Sequence, residues 1–395
     1  MSHTNVSHTN ESQSSSFALR RVAGSRDLGR FLEVPHHTQG HDPHWVAPLD
    51  FMERMRFNER KNPWFRHGEA AYWIAERGGR PVGRISAQVD KTHIELRKDD
   101  TGFFGFFECV DDQAVADALF AAAGQWLKDR GMRRCLGPFS FNINEESGLL
   151  VDGFNCPPRM VMGHAQPYYG GLVEKAGFTK TIDMLAYLTP MDTGLPFKQI
   201  KWLNRALERD KRLAVRALDT SRFEEEIATI VRIFNAAWAD NWGFIPLTDA
   251  DVAYMASEMK PLLVPELVAF ATIDGEPKAM CVALPDLNEL IRDLRGRLWP
   301  TGWAKLAWRL LTRRSFAAGT RVPFMGVLPE FKNKPMGSVL ALLTVGRVRD
   351  MSLKLRMPVC EMSWVLENNT QTRHSIEDIG GRVYKTYRMY EKPLV

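Results

Sequence analysis

Apolar and polar positions along the chain fall into two similar successions of short strands and amphipathic helices. In the first, Ala71 to Glu76 and Val82 to Val89 read as strands on either side of Gly78-Gly79, and Gly102 to Val110 (GFFGFFECV) as a third. Asp112 stands where a helix cap belongs, ahead of Val115, Leu119, Ala122 and Trp126 on one face; Gly131 closes that helix and Met132 to Leu136 is the next strand. In the second succession Leu213 to Leu218 is a strand, and Ile227, Ile230, Val231, Phe234 and Ala237 recur at helical spacing through Glu224 to Asp240. Asn241-Trp242-Gly243-Phe244 and a further helical stretch follow, then strands Leu267 to Ile273 and Lys278 to Leu284 around the turn Asp274-Gly275-Glu276-Pro277.

The segment Val322 to Ser338 (VPFMGVLPEFKNKPMGS) predicts a strand, a tight loop and a helix N-terminus. A helix start leaves backbone N–H groups unpaired at the positive end of a dipole, which suits a pyrophosphate. An ordinary strand-to-helix turn is the competing reading. Pro358 to Val365 predicts the next strand, and Glu367-Asn368-Asn369-Thr370 opens a last helix ending at Gly380-Gly381.

This succession resembles the GCN5-related N-acetyltransferase (GNAT) superfamily, in which Arg/Gln-x-x-Gly-x-Gly/Ala follows the strand that carries the acyl-CoA donor. The matching positions are Lys332, Pro335 and Gly337. Lys lacks the planar fork of Arg and Pro335 has no N–H, although Pro is at home in the first turn of a helix. The resemblance implies acyl-CoA as donor substrate, with no metal or redox cofactor, held at Val327, Lys332, Asn333, Lys334, Met336, Gly337, Ser338 and Asn369. Ile376 and Gly381 stand where the family has Tyr and Phe, which leaves the general acid unassigned; a thiolate, of reference pKa about 8.5, leaves without much help. In the first succession Tyr168 to Phe178 resembles the family's closing helix with Val173 at the Tyr place, while Val110-Asp111-Asp112-Gln113 puts two acids where phosphates would dock. The expected fold is therefore α/β (α+β): two tandem GNAT-like domains, each a mixed twisted sheet flanked by helices. The boundaries expected are a disordered tail at 1–16, a degenerate domain at 17–192 and an acyltransferase domain at 193–395.

Length and composition agree. A chain of 395 residues is long for one core, and 45% hydrophobic with 25% charged residues is ordinary for a globular protein. Five scattered cysteines without a C-x-x-C pair favour reduced thiols over disulfides or zinc. His36, His37, His41 and His44 share no helical spacing and are interrupted by Pro43, so no metal is expected. The polar start lacks an apolar signal core and no run approaches 18 apolar residues. The expectation is a cytoplasmic protein able to lie peripherally on the inner membrane.

An insertion at 291–321 changes that picture. It holds Arg292, Arg295, Arg297, Lys305, Arg309, Arg313, Arg314 and Arg321 against Asp293 alone, so its charge of +7 exceeds the +5 of the whole chain. Trp303, Leu306, Ala307, Leu310 and Leu311 follow helical spacing, with Lys305, Arg309 and Arg313 opposite. Together with Trp299 and Trp308 this suits an interfacial helix on an anionic membrane. A helix packed on the domain with a solvated basic face is the alternative. A nucleic-acid patch is a third, disfavoured because no nucleic-acid motif accompanies it.

An amine must lose a proton before it attacks a thioester. Glu361 shares a strand face with Val359, Ser363 and Val365, where a carboxylate needs a partner; it is the first candidate base, a structural salt bridge being the alternative. Glu146 and Glu108 are further catalytic candidates that could reach a cleft between the halves. Asn142 and Asn144 read as turn residues. Asn241, Trp242 and Tyr169 are the expected acceptor-binding residues, with core packing the other account of Trp242.

Nearly the whole chain also resembles a group of bacterial proteins built this way, some of which look like the bacterial ceramide synthase, through Asp42-Pro43-His44-Trp45-Val46-Ala47-Pro48-Leu49, Pro81-Val82-Gly83-Arg84-Ile85, Gly102 to Glu108, Gly148 to Phe154 and Asn241-Trp242-Gly243. This implies transfer from a long-chain acyl thioester, on CoA or acyl carrier protein, to a lipid amine such as a sphingoid base. Direct attack would be aided by backbone amides near Val327. The alternatives are an aminoacyl-tRNA-dependent transferase of tandem GNAT type, and a non-catalytic acyl-CoA or lipid binder, suggested by Pro335 and Ile376.

Overall fold

The computed structural model describes residues 16–192, 195–312 and 318–394. Among these, thirteen strands form one mixed sheet. They are β1 (Ala18–Arg21), β2 (Gly68–Arg77), β3 (Arg80–Asp90), β4 (Thr101–Cys109), β5 (Arg134–Gly137), β6 (Leu149–Asp152), β7 (Thr179–Pro190), β8 (Leu213–Ala217), β9 (Val268–Ile273), β10 (Glu276–Pro285), β11 (Gly319–Val327), β12 (Val359–Leu366) and β13 (Arg382–Pro393). Their order across the sheet is β1-β2-β3-β4-β5-β13-β7-β12-β11-β10-β9-β8, with β6 pairing onto β13.

The two successions are present, but their ends are exchanged. β7 closes the first succession in sequence, yet pairs antiparallel with β12 of the second from Val359↔Pro190 to Leu366↔Met184. β13, the last strand of the chain, lies instead between β5 (Tyr390↔Gly137) and β7 (Arg382↔Leu188 to Glu391↔Thr179). Each half thus completes its sheet with the other's final strand. Arg388 fixes the central pair by donating from Nε and Nη2 to the two oxygens of Asp183, at 2.8 and 3.1 Å.

Local sequence accounts for the elements. Asp274 and Gly275 have φ of 52° and 82°, so the β9–β10 turn is of the mirror-image kind that follows strand twist. The Asp112 carboxylate accepts from the backbone of Ala114 and Val115, capping helix Gln113–Lys128. That carboxylate fills a helix N-terminus of the first half and is also paired with Arg77 at 2.5 Å. In the second half, helix Phe223–Trp238 sets Ile230, Ile233 and Phe234 against Phe270, Met280 and Val282. Helix Pro335–Lys354 packs Val339, Leu340 and Leu343 on the other face, against Ala271 and Ala279.

The insertion departs from the two-faced helix expected. In helix Gly302–Thr312, Leu306 and Leu310 pack on the second-half core, whereas Trp303, Trp308 and Leu311 are 57, 67 and 81% exposed and nearby Trp299 is 82% exposed. The apolar arc is simply wider than the side that packs. Lys305 and Arg309 fold back onto Asp293, each at 2.6 Å, so the expected solvated basic face is partly neutralised. Arg321 is not on this surface at all: it lies in β11 and is 5% exposed. Arg313 and Arg314, like the tail up to residue 15, lie outside the described residues.

Candidate active site

β11 and β12 run parallel and pair from Gly319↔Val359 to Val322↔Met362. Pairing stops there although both strands continue, so the sheet opens between Phe324–Val327 and Trp364–Leu366. Pro323 marks the opening, having no N–H to offer a neighbour. β11 stays paired with β10 as far as Ala279↔Val327. Beyond Val327 the loop turns back through Lys332, Asn333 and Lys334, all exposed, into helix Pro335–Lys354. Its glycine has a specific reason. A Cβ on Gly337 would lie 2.3 Å from the Phe331 carbonyl oxygen, so only Gly lets the loop close on the helix start. The remaining expected donor residues divide. Lys332 reaches Asp240 at 3.0 Å, Asn333 takes a left-handed φ of 60°, Met336 packs beside Leu340 and Ser338 is exposed in the first turn. Asn369 caps helix Thr370–Asp378 by accepting from the Thr372 N–H at 3.2 Å.

Just before the opening lies a buried polar cluster. Arg321 and Glu361 are direct neighbours across the strands, 5% and 0% exposed. The Glu361 Oε1 accepts from Ser363 Oγ at 2.5 Å and lies 3.4 Å from Arg321 Nε; its Oε2 accepts from the Tyr384 hydroxyl of β13. Arg321 also donates to Ser363 Oγ at 2.9 Å and to the Met160 carbonyl at 2.9 Å. Burial, reinforced by the Glu361 charge, pushes the Tyr384 hydroxyl far above its ordinary value, so it remains a proton donor at neutral pH. Burial also lowers Arg321, with Glu361 opposing. Glu361 is thus ion-paired, one of its two expected readings, and it also accepts from a half-buried phenol.

Against this cluster, at Met160, a cavity of about 250 Å³ opens between the halves. The first half supplies Leu49, Met52, Glu53, Arg56, Asn142, Asn144, Glu145 and Glu146; the second supplies Leu247, Asp251, Met255 and Leu262. Asn142 accepts from the Asn144 N–H at 2.8 Å, the turn role expected, while Asn144 also donates across the halves to the Ile245 carbonyl at 3.1 Å.

Glu108 and Tyr169 do not line this cavity. The Tyr169 hydroxyl donates to Glu108 at 2.7 Å within the first half, where Gln39 and Thr38 bind the same carboxylate at 2.6 and 3.0 Å. This corrects the expectation that Glu108 reaches a cleft and that Tyr169 binds the acceptor: three hydrogen-bond partners and 7% exposure hold Glu108 inside. Trp242 packs on the first-half core, and the Asn241 carbonyl accepts from Arg97 at 3.3 Å; both dock the loop on the other half and neither lines the cavity. Sequence reasoning missed Tyr384 and Arg321. Arg321 had a signal, being a charge between Thr320 and Val322 in an otherwise strand-like run.

The chain is 42% identical over 388 residues to the bacterial ceramide synthase of Caulobacter vibrioides, covering 97% of this chain and 99% of that protein. It is 41% identical over 377 residues to protein YghO of Escherichia coli, covering 95% of each. The chain belongs to the family of these two proteins. No protein-family model matches it. Among solved structures, a tandem GNAT protein from the clavulanic acid biosynthesis pathway superposes with TM-score 0.54 at 12% identity, covering 96% of this chain and 99% of that one. A GCN5-related N-acetyltransferase from Sphaerobacter thermophilus superposes with TM-score 0.51 at 12% identity, covering 96% of each. These two likenesses establish the fold, a tandem GNAT.

Proposed function

We propose that the chain is an N-acyltransferase that moves a long-chain acyl group from a thioester to a lipid amine, most concretely a sphingoid base. The observation that carries this reading is the parting of β11 and β12 directly beside the Arg321–Glu361–Tyr384 cluster. A pantetheine arm would enter the opening, with its phosphates toward Lys332, Lys334 and the start of helix Pro335–Lys354; CoA or the phosphopantetheine of acyl carrier protein fits equally. The neutral amine attacks the thioester carbonyl carbon, a C–N bond forms, the C–S bond breaks, and the thiolate takes a proton from water, while the proton lost by the amine and held on Glu361 returns to solvent once the products leave. The amine's proton passes to the Tyr384 oxygen as Tyr384 hands its own to Glu361, which is too buried to touch the substrate itself. Kinship with the Caulobacter bacterial ceramide synthase supports the sphingoid base as acceptor.

A lipid substrate also fits the exposed Trp299, Trp303, Trp308 and Leu311, flanked by Arg292, Arg295 and Arg297. These would rest peripherally on an anionic leaflet. Among the described residues no helix is long and apolar enough to cross a membrane. Purified protein given palmitoyl-CoA and a sphingoid base should release free CoA and form the amide in equal amounts. Donor binding without turnover on any amine would make it a binding protein instead.

A further inference from the structure

The cavity between the halves has an uneven chemistry. Among the described residues that line it, Glu53, Glu145, Glu146 and Asp251 face a single cation, Arg56. Arg56 is largely committed: its Nε donates to Glu145 at 2.7 Å, its Nη2 to the Ser140 carbonyl at 3.3 Å and its Nη1, weakly, to one oxygen of Glu53 at 3.5 Å, which leaves the other Glu53 oxygen to the cavity. Glu146 is left 3.9 Å from Arg56 Nη1, beyond hydrogen-bond range. Its side chain is 41% accessible although it lines an interior space. The rest of the wall is apolar, with Leu49, Met52, Met160, Leu247, Met255 and Leu262 contributed by both halves. At about 250 Å³ the space approaches the ~300–1,000 Å³ usual for small-molecule sites.

We propose that this cavity is the site of a long-chain amine, its ammonium held by Glu146 with Glu53 and its chain lying along the methionine and leucine wall. A phosphate-bearing group is opposed by the surplus of carboxylates. A neutral lipid would leave that surplus uncompensated, so a single-chain cation is the complementary occupant. The first half thereby contributes the acceptor's head-group site to a donor opening that belongs to the second. Met160 joins the two, lining the cavity with its side chain while its carbonyl holds Arg321. The proposal rests on the acyltransferase reading for its biological meaning, but not for its test.

Dodecyltrimethylammonium has the charge and chain of such an amine and cannot be acylated. Titrated calorimetrically below its micelle concentration, it should bind the full-length protein at least tenfold more tightly than dodecanol. Glu146→Gln and Glu53→Gln should each cost it about tenfold while leaving dodecanol unchanged, and Leu262→Trp should weaken both by filling the space. Melting temperatures within about 1 °C of wild type confirm that the Gln variants are folded. Equal affinity for the ammonium and the alcohol, or Gln variants that bind the ammonium as wild type does, would overturn the proposal. If the ammonium binds through Glu146 but no amine is ever acylated, the acyltransferase reading falls and the site stands. Acyl transfer with an amine KM untouched by Glu146→Gln has the opposite meaning.

Discussion

Replacing Glu361 by Gln tests whether the cluster at the strand opening is held by charge, chemistry or both. The substitution keeps the shape but removes the carboxylate from Arg321, which is only 5% exposed and has carbonyls and a hydroxyl as its other partners. Removing one member of a buried pair costs about 3–5 kcal/mol. The unfolding entropy of a 395-residue chain, at about 2.1 cal/mol/K per residue, converts this to a fall in melting temperature of about 4–6 °C by scanning calorimetry. Arg321→Met should cost a similar amount. The double variant should be less destabilised than the two losses combined, by about 1–3 kcal/mol, because neither partner is then left charged and alone. Thiol release from palmitoyl-CoA, followed in parallel, should show turnover lowered at pH 7 far more than donor affinity. Part of the loss should return as pH rises and the amine deprotonates unaided. A Glu361→Gln protein that melts with wild type would refute the ion-pair argument; one that turns over normally at pH 7 would leave Glu361 a purely structural group.

Gly337→Ala should weaken CoA binding at least tenfold in a direct titration, since the new Cβ would sit 2.3 Å from the Phe331 carbonyl and the donor loop must move; unchanged affinity would remove the loop from the donor site. Asp183 is partly buried, but its hydrogen bonds to Arg388 and Lys180 outweigh burial and hold it below its ordinary value. Its stabilising effect is therefore present above the unfolded-state pKa, about 3.9, and is lost as pH falls through the lower folded-state value. Arg388→Met should accordingly melt earlier than wild type at pH 7, with the gap closing as the medium is acidified; a gap independent of pH would mean that only packing was lost. Trp299→Ser with Trp303→Ser should reduce co-sedimentation with anionic vesicles and leave the melting temperature within about 1 °C, as both side chains are more than half exposed. Leu306→Ser should do the reverse, because Leu306 packs on the core.

The parts of the fold legible in the sequence were those set by neighbours in the chain. Asp112 capping a helix, the Asp274-Gly275 turn and the helical spacing of Ile230 and Phe234 each express a local rule, and each appears in the structure. Glu361 stood out because a carboxylate on an apolar strand face demands a partner, but the identity of that partner was hidden. Tyr384 comes from β13, across an intervening strand, and no local rule brings it there. The insertion was legible only in part for a related reason: helical spacing shows which residues are apolar, not which part of the arc the rest of the protein covers. Tyr169 shows the converse: it was expected at the acceptor, and its hydroxyl instead serves a buried carboxylate.

The exchange of final strands gives a physical reason for the first half to persist without the usual donor loop. A sheet of the second half alone would end at β12, leaving the edge that carries Met362, Val365 and Leu366 without a neighbour; such an exposed apolar edge pairs with other chains. β7 covers that edge, and β13 in turn needs β5 and β7 on its two sides. The half whose helix start is occupied by Asp112 is therefore needed to complete the half that carries helix Pro335–Lys354. It also brings Glu146 and Met52 to one side of the cavity while Met255 and Leu262 form the other. If the second half alone holds the donor, as proposed above, the first is free to vary its own loops toward the acceptor, and the carboxylates of Glu145 and Glu146, on the loop between β5 and β6, stand where such a division of labour would place them.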